Sequence, residues 1–200
     1  MTVSIYLAHL NPVTNAHVQI IEELKNKSDV KVMPVIFQKN EHEINSRSFP
    51  FSFEIRKQML DSVFGDSIEV SKNYSFHAPF CRYLPPLISP KSWQLRKQIL
   101  KDVPKDYFTY TGDKAEGFML KIYRLNPKIG VRKSISASSV KEKMYDEVKG
   151  EKTSWTEDVP PKVIDIIRKN WDVVEKYANS KDETTRVAGM KFPKEGYWSK

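Results

Sequence analysis

The sequence predicts an α/β doubly wound fold, a parallel sheet of about five strands with a helical C-terminal extension. Two patterns predict it. Short apolar, β-rich runs at residues 3–7, 30–37, 68–70 and 107–111 alternate with amphipathic stretches of helical period, and such alternation marks βαβ units. The ten residues from Ala8 to His17 then connect the first strand to the first helix, because Val18, Ile20, Ile21 and Leu24 recur beyond them at helical spacing. Open α/β sheets bind ligands outside the carboxyl ends of their strands, at the point where strand order reverses. The expected site therefore lies above the first strand.

Helices are expected over residues 15–25, 52–63, 91–101, 115–124 and 136–148, followed by 161–177. Thr14 is the natural N-cap of the first of them, which puts His17 in its opening turn, where free backbone amides and the helix dipole favour a phosphate. Pro34 inside the second strand removes a ladder donor and predicts a bulge or an unpaired position. From residue 71 to 90, Pro79, Pro85, Pro86 and Pro90 punctuate Tyr74, Phe76, Phe80 and Tyr83. That stretch reads as a long ordered loop, either covering a substrate or serving as a structural insertion. Residues 1–150 are expected to form the core and 151–178 a helical extension of the same domain. Residues 179–200 form a basic tail that packs through Phe192, Tyr197 and Trp198 or stays mobile.

With 200 residues, 40% of them hydrophobic, the chain can bury one sizeable core and is short for two catalytic domains. Cys81 is the single cysteine, which excludes an internal disulfide and a thiolate metal cluster and suits a reducing compartment. There is no basic, apolar leader pattern and no run of about 18 apolar residues, so a cytoplasmic protein without a membrane span is expected. The net charge of +8 draws phosphate-rich ligands. Much of it is scattered over helix surfaces and the tail (Lys181, Arg186, Lys191, Lys194, Lys200), so a solvated face is expected in preference to a nucleic-acid footprint. A homo-oligomer stays open.

None of the seven glycines falls in a GxGxxG or GxxxxGK(S/T) arrangement, which sets aside the dinucleotide fingerprint and the P-loop. Thr14 to His17 alone could be an ordinary helix cap carrying an incidental histidine. A second helix start of the same chemistry weighs against that: Ile135-Ser136-Ala137-Ser138-Ser139-Val140-Lys141 enters a helix whose apolar side is Val140, Met144 and Val148. There Ser136 or Ser138 can cap, other hydroxyls stay free, and the Lys141 ammonium can reach a polyphosphate. Two donor-rich helix starts, both following candidate strands, point to one shared triphosphate pocket. Glu41-His42-Glu43 reads as a solvated charge cluster, so no protein metal site is expected.

Pro12-Val13-Thr14-Asn15-Ala16-His17 resembles the H/T-x-G-H signature of the nucleotidyltransferase superfamily, and residues 135–141 resemble its ISxTxxR signature. Residues 49–56 (Phe-Pro-Phe-Ser-Phe-Glu-Ile-Arg) are similar to an NPFTxxER segment, and Tyr110-Thr111-Gly112-Asp113 to a Y(S/T)GN segment. Trp155 through Val159-Pro160 to Tyr177 is similar to a closing W…LPxxV helix. These three resemble nicotinamide-nucleotide adenylyltransferases, particularly the archaeal-type branch. The resemblance, which spans roughly residues 3–177, implies a Rossmann-like nucleotidyltransferase core. It implies transfer of AMP from MgATP to nicotinamide mononucleotide (NMN), giving NAD⁺ and pyrophosphate, with Mg²⁺ on the phosphates. It also implies roles. Thr14 and His17 would hold the α- and β-phosphates, and Ser136, Ser138 and Lys141 the outer ones. Ala8, His9 and Asn11 would line the ATP turn, and Gly112 and Asp113 would border the adenosine. Trp93 would stack on the nicotinamide, unless it is a core residue of its helix, and Arg47 and Arg56 would approach the phosphates, unless they serve at the surface.

The sequence departs from that pattern in ways that matter physically. Ala8 and Ala16 stand where the family usually has glycine, His9 where the archaeal-type branch has arginine, and Lys141 where ISxTxxR has arginine, so a bidentate fork becomes a point charge. Thr14 in place of histidine is the pantetheine-phosphate pattern, which keeps phosphopantetheine open as an acceptor. From a different class, the aromatic runs at residues 49–53 and 107–110 with the positive charge would suit a non-catalytic nucleotide- or nucleic-acid-binding module.

Overall fold

The structure is a computed structural model and describes residues 2–84, 89–131, 133–187 and 190–198. Strand β1 (Val3–Ala8) leads into helix α1 (Asn15–Lys25), β2 (Asp29–Pro34), β3 (Ile36–Lys39) and β4 (His42–Glu43). Then come α2 (Phe53–Phe64), β5 (Glu69–Val70), β6 (Ser75–His77), α3 (Pro90–Ile99), β7 (Tyr107–Thr111), α4 (Lys114–Ile122), β8 (Pro127–Ile129) and α5 (Ala137–Val148). Helices α6 (Pro161–Lys169) and α7 (Trp171–Ala178) precede a hairpin of β9 (Thr184–Val187) and β10 (Met190–Pro193).

The central sheet has the expected five parallel strands, in the order β5-β2-β1-β7-β8. Its two faces are apolar because side chains alternate along each strand: Val3, Ile5 and Leu7 of β1 join one core cluster and Tyr6 the other. Leu95 and Ile99 of α3 and Met119 and Leu120 of α4 cover the first face. Helices α1, α2, α5, α6 and α7 cover the second through residues such as Ile21, Met59, Met144, Val163 and Val174. Strand order reverses between β1 and β7, so the carboxyl ends of these two strands, at Ala8 and Thr111, frame the crevice that such sheets use for ligands.

Three elements differ from the sequence-based expectation. Residues 30–37 are two strands: Val35 N–H donates to Ala8 O at 3.0 Å, Ile36 N–H to Tyr74 O at 3.0 Å, and the chain passes from the main sheet into a smaller β4-β3-β6 sheet. Pro34 marks that exit, its missing donor falling at the last pair of the ladder. The expected helix over 161–177 breaks at Asn170, whose backbone N–H and Nδ2 both donate to Ile166 O, at 3.2 and 2.8 Å. The supposed loop after residue 71 contains β6 and a one-turn 3-10 helix, Phe80–Tyr83, with Phe76, Phe80 and Tyr83 buried; Pro85 and Pro86 lie outside the described residues. The fifth strand, β8, had no counterpart among the expected runs.

The tail packs. Phe192 is 1% exposed among Phe37, Phe76, Phe80 and Tyr197, while Trp198 is 80% exposed. Phe80 N–H donates to Gly196 O and Cys81 N–H to Tyr197 O, at 2.9 and 3.0 Å, stitching the chain end to the 3-10 turn. Among the described residues no helix is long and apolar enough to cross a membrane.

Candidate active site

A cavity of about 350 Å³ opens at the switch point. Ala8 and His9 from the end of β1, His17 from α1, Thr111 and Gly112 from the end of β7, Asp113 and Glu116 from α4, and residues 135–138 with Lys141 from α5 line it. The two donor-rich helix starts, 118 residues apart or more in sequence, therefore open onto one space.

At the α1 start, Thr14 is the N-cap and is fully buried. Its N–H donates to His17 Nδ1 at 3.0 Å, and its hydroxyl lies 3.1 Å from the same nitrogen. An Nδ1 that accepts a hydrogen bond leaves the proton of the neutral ring on Nε2, as a donor. Burial, with Lys141 nearby adding to it, pulls the His17 pKa down to about 4, so the ring is neutral across the physiological range. His9 is driven lower still, to about 3, by burial and then by Lys141 and Arg56. Its ring stacks on Phe49, with centroids 4.6 Å apart.

At the α5 start, Ser136 caps by accepting from Ser139 N–H at 3.1 Å, and Ser138 lines the cavity. Lys141 is 6% exposed, and its Nζ donates to Asn11 O at 2.8 Å. Among the described residues it has no carboxylate in ion-pair range. Burial, then repulsion from Lys191, lowers its pKa to about 7. A buried ammonium held by one carbonyl favours the arrival of an anion, which would restore its charge.

At the α4 start, Asp113 caps through Oδ1, which accepts from Ala115 and Glu116 N–H at 2.7 and 3.0 Å. Glu116 accepts from Thr111 Oγ1 at 2.5 Å, and burial raises its pKa to about 7 despite that bond.

Several residues that the motif resemblance assigned to substrate do not line the cavity, Thr14 among them, since its hydroxyl is fully buried against His17. Asn11 is buried and clamps the turn: Nδ2 donates to Phe51 O at 2.8 Å, and Oδ1 accepts from Phe51 N–H at 3.1 Å. Arg56, 2% exposed, is neither at the phosphates nor at the surface. It donates to His9 O and Val35 O, both at 2.8 Å, and pairs with Glu43 at 2.9 Å, supporting the site's floor from beneath. Glu41 and His42 are exposed, as expected, while Glu43 is partly buried as the ion-pair partner of Arg56. Arg47 donates to Tyr177 O and Ala178 O at the end of α7 and pairs with Glu142 at 2.6 Å. Trp93 is 39% exposed on α3, away from the cavity lining.

Sequence reasoning missed the opposite wall. Tyr74 and Phe76 from the supposed loop, Phe37 and Phe49, and Arg186, Met190, Lys191 and Phe192 from the C-terminal hairpin also line the cavity. The alternation of residues 184–187 and 190–193 about Ala188-Gly189 was a hairpin signal. Charged and small residues between its apolar positions mask that signal.

No protein-family model and no curated protein sequence matches the chain. Solved structures do resemble it. A bifunctional NMN adenylyltransferase/ADP ribose pyrophosphatase from Francisella tularensis, complexed with AMP and a manganese ion, superposes with a TM-score of 0.64 at 18% identity, over 88% of this chain and 52% of that one. Another structure of the same kind of protein from that organism gives 0.57 at 18% identity, over 91% and 58%. A Vibrio parahaemolyticus protein provisionally named a nicotinate-nucleotide adenylyltransferase gives 0.52 at 12% identity, over 88% and 97%. This chain spans little more than half the length of the two Francisella proteins. At these identities the likeness defines the fold class, a Rossmann-like α/β sheet of the kind on which those proteins are built.

Proposed function

We propose that this chain is a nucleotidyltransferase that moves AMP from MgATP to a pyridine mononucleotide, NMN by preference, releasing pyrophosphate. The observation that carries the proposal is the convergence of His17 and Lys141, each from a different helix start, on one cavity at the switch point of the sheet. The fold shared with the NMN adenylyltransferase of Francisella tularensis supports the same reading.

The chemistry needs little beyond positioning and charge. An oxygen of the acceptor's 5′-phosphate attacks the α-phosphorus, the bond from that phosphorus to the bridging oxygen breaks, and the electron pair leaves on pyrophosphate. His17, neutral with its proton on Nε2, donates to phosphate oxygens without itself titrating. Lys141 and the first-turn amides of α5 bear on the outer phosphates, where charge grows as the bond breaks. Thr14 acts through His17, fixing its tautomer and direction. Ala8 and Gly112 form the surface against which the nucleoside rests, with Asp113 beside it. The groups at the α1 and α5 starts are cationic, imidazole or hydroxylic, and the cavity's two carboxylates are engaged, Asp113 in capping α4 and Glu116 with Thr111, which suits phosphate oxygens more than a bare cation. Mg²⁺ would accordingly arrive on the nucleotide, where it neutralises phosphate charge.

The test is pyrophosphate release from MgATP with NMN, nicotinate mononucleotide, phosphopantetheine or no acceptor. Turnover with NMN above the others is expected. Turnover confined to nicotinate mononucleotide or phosphopantetheine would replace the acceptor, and binding of oligonucleotides without any ATP turnover would replace the class.

A further inference from the structure

We propose that the β9–β10 hairpin completes the cavity as a polyphosphate-binding wall, with Lys191 and Arg186 holding the two outer phosphates of ATP and then the leaving pyrophosphate. Naming ATP as the source rests on the adenylyl-transfer reading. The preference for adjacent phosphates rests on the geometry alone.

Lys191 and Arg186 face each other in the antiparallel register of the hairpin, and both line the cavity. Directly opposed residues share one face of a ribbon at roughly 5 Å between β-carbons, and like charges so placed repel. Lys141 brings a third basic group to the same cavity, one that a bound anion would charge fully. Against these three, the only ion pair among the described residues is that of Lys191 with Asp182, at 3.2 Å. The cavity's own carboxylates are engaged elsewhere, Asp113 in capping α4 and Glu116 with Thr111. Such an arrangement is unfavourable in isolation and favourable around a multiply charged anion.

The wall is also aimed. Lys191 Nζ donates to Ser48 Oγ at 2.9 Å, Asp182 accepts from the same Ser48 hydroxyl at 2.8 Å, and the neighbouring Phe192 is locked among aromatic rings. Lys191 is therefore held over the cavity from the Ser48 side while Lys141 enters from α5. Basic groups brought to one cavity by α5 and by the hairpin suit two linked phosphates better than one.

The test is calorimetric titration of the full chain with inorganic pyrophosphate and, separately, with AMP, for the unsubstituted protein, Arg186→Ala, Lys191→Gln and Lys191→Arg. Arg186→Ala and Lys191→Gln should each weaken pyrophosphate about 10-fold or more, as expected for loss of a charged hydrogen bond, and AMP by less than about 3-fold. Lys191→Arg should keep most of the affinity. Arg186 is exposed and makes no ion pair among the described residues, so Arg186→Ala tests the wall even if Lys191→Gln loosens the tail, which thermal unfolding would reveal. Unchanged pyrophosphate affinity in Arg186→Ala, or an equal loss for AMP, overturns the proposal while leaving adenylyl transfer standing. Hairpin-dependent pyrophosphate binding without AMP transfer would do the reverse.

Discussion

ATP binding should draw protons from solution, in an amount set by Lys141. In the unliganded protein burial and Lys191 hold this lysine at about pKa 7, so it is about half charged at pH 7 and roughly one-tenth charged at pH 8. A bound triphosphate stabilises the ammonium and returns its pKa toward the ordinary 10.5. The complex then holds more protons than the free protein between these two values, so raising the pH weakens binding. Uptake should be about half a proton per ATP at pH 7 and about 0.9 at pH 8, and affinity should fall nearly tenfold per pH unit above about 7.5. Calorimetry at saturating Mg²⁺ in buffers of different ionisation enthalpy reads this uptake as a slope. Glu116, also near 7 through burial, would add uptake of its own if the anion raises it further. Lys141→Arg separates the two, because a guanidinium stays charged and leaves only the share of Glu116. A slope of zero, proton release, or uptake undiminished in Lys141→Arg would refute the role given to this lysine.

Three further outcomes follow from the geometry. His17→Ala should lower the rate of AMP transfer about 100-fold or more with the fold retained, as measured by pyrophosphate release and circular dichroism, since one preorganised donor to transition-state charge is worth about that much. Because burial depresses the His17 pKa to about 4, AMP transfer by the unsubstituted protein should show no loss on this account between pH 6 and 8. Gly112→Ala should leave stability within about 0.5 kcal/mol, because an added β-carbon meets nothing within 4 Å, yet should raise the KM for ATP because Gly112 lines the cavity. Arg56→Met should destabilise by about 2–4 kcal/mol in urea unfolding, since it removes the donors to His9 O and Val35 O and leaves the partly buried Glu43 carboxylate with the Phe53 N–H alone.

The parallel sheet and both helix starts were legible because each is written locally: short β-rich runs alternating with helical stretches, helical spacing in α1 and α5, and the cap residues Thr14 and Ser136. The other half of the cavity was not, because it is assembled over long range. Arg56 reads as one more surface cation until Glu43, 13 residues earlier, is seen beside it. Lys191 lies 50 residues beyond Lys141 in a segment whose charges outnumber its apolar anchors, and contacts remote in sequence, Ser48 with its Nζ and the aromatic rings around Phe192, fix where it points. The motif resemblance brought Trp93, Arg47 and Asn11 to the substrate, whereas burial and backbone hydrogen bonding engage Asn11 and Arg47 in support of the turn and of α7. A short motif carries the local chemistry of a residue but not its partners.

The same distinction bears on the departures from the superfamily pattern, which the structure treats unequally. Ala16 is buried in α1 and does not line the cavity, so alanine there leaves the phosphate's approach to the helix start open. Ala8 does line it, and the methyl group is where a nucleotide would meet a closer wall. His9, in the position of an arginine, cannot supply that charge, because burial and its cationic neighbours keep the ring neutral. Lys191 is one of those neighbours. The positive charge that the first turn lacks is thus carried into the same neighbourhood from the far end of the chain, on a hairpin anchored by Phe192. A polyphosphate bound there would depend on the tail folding as much as on the two helix starts.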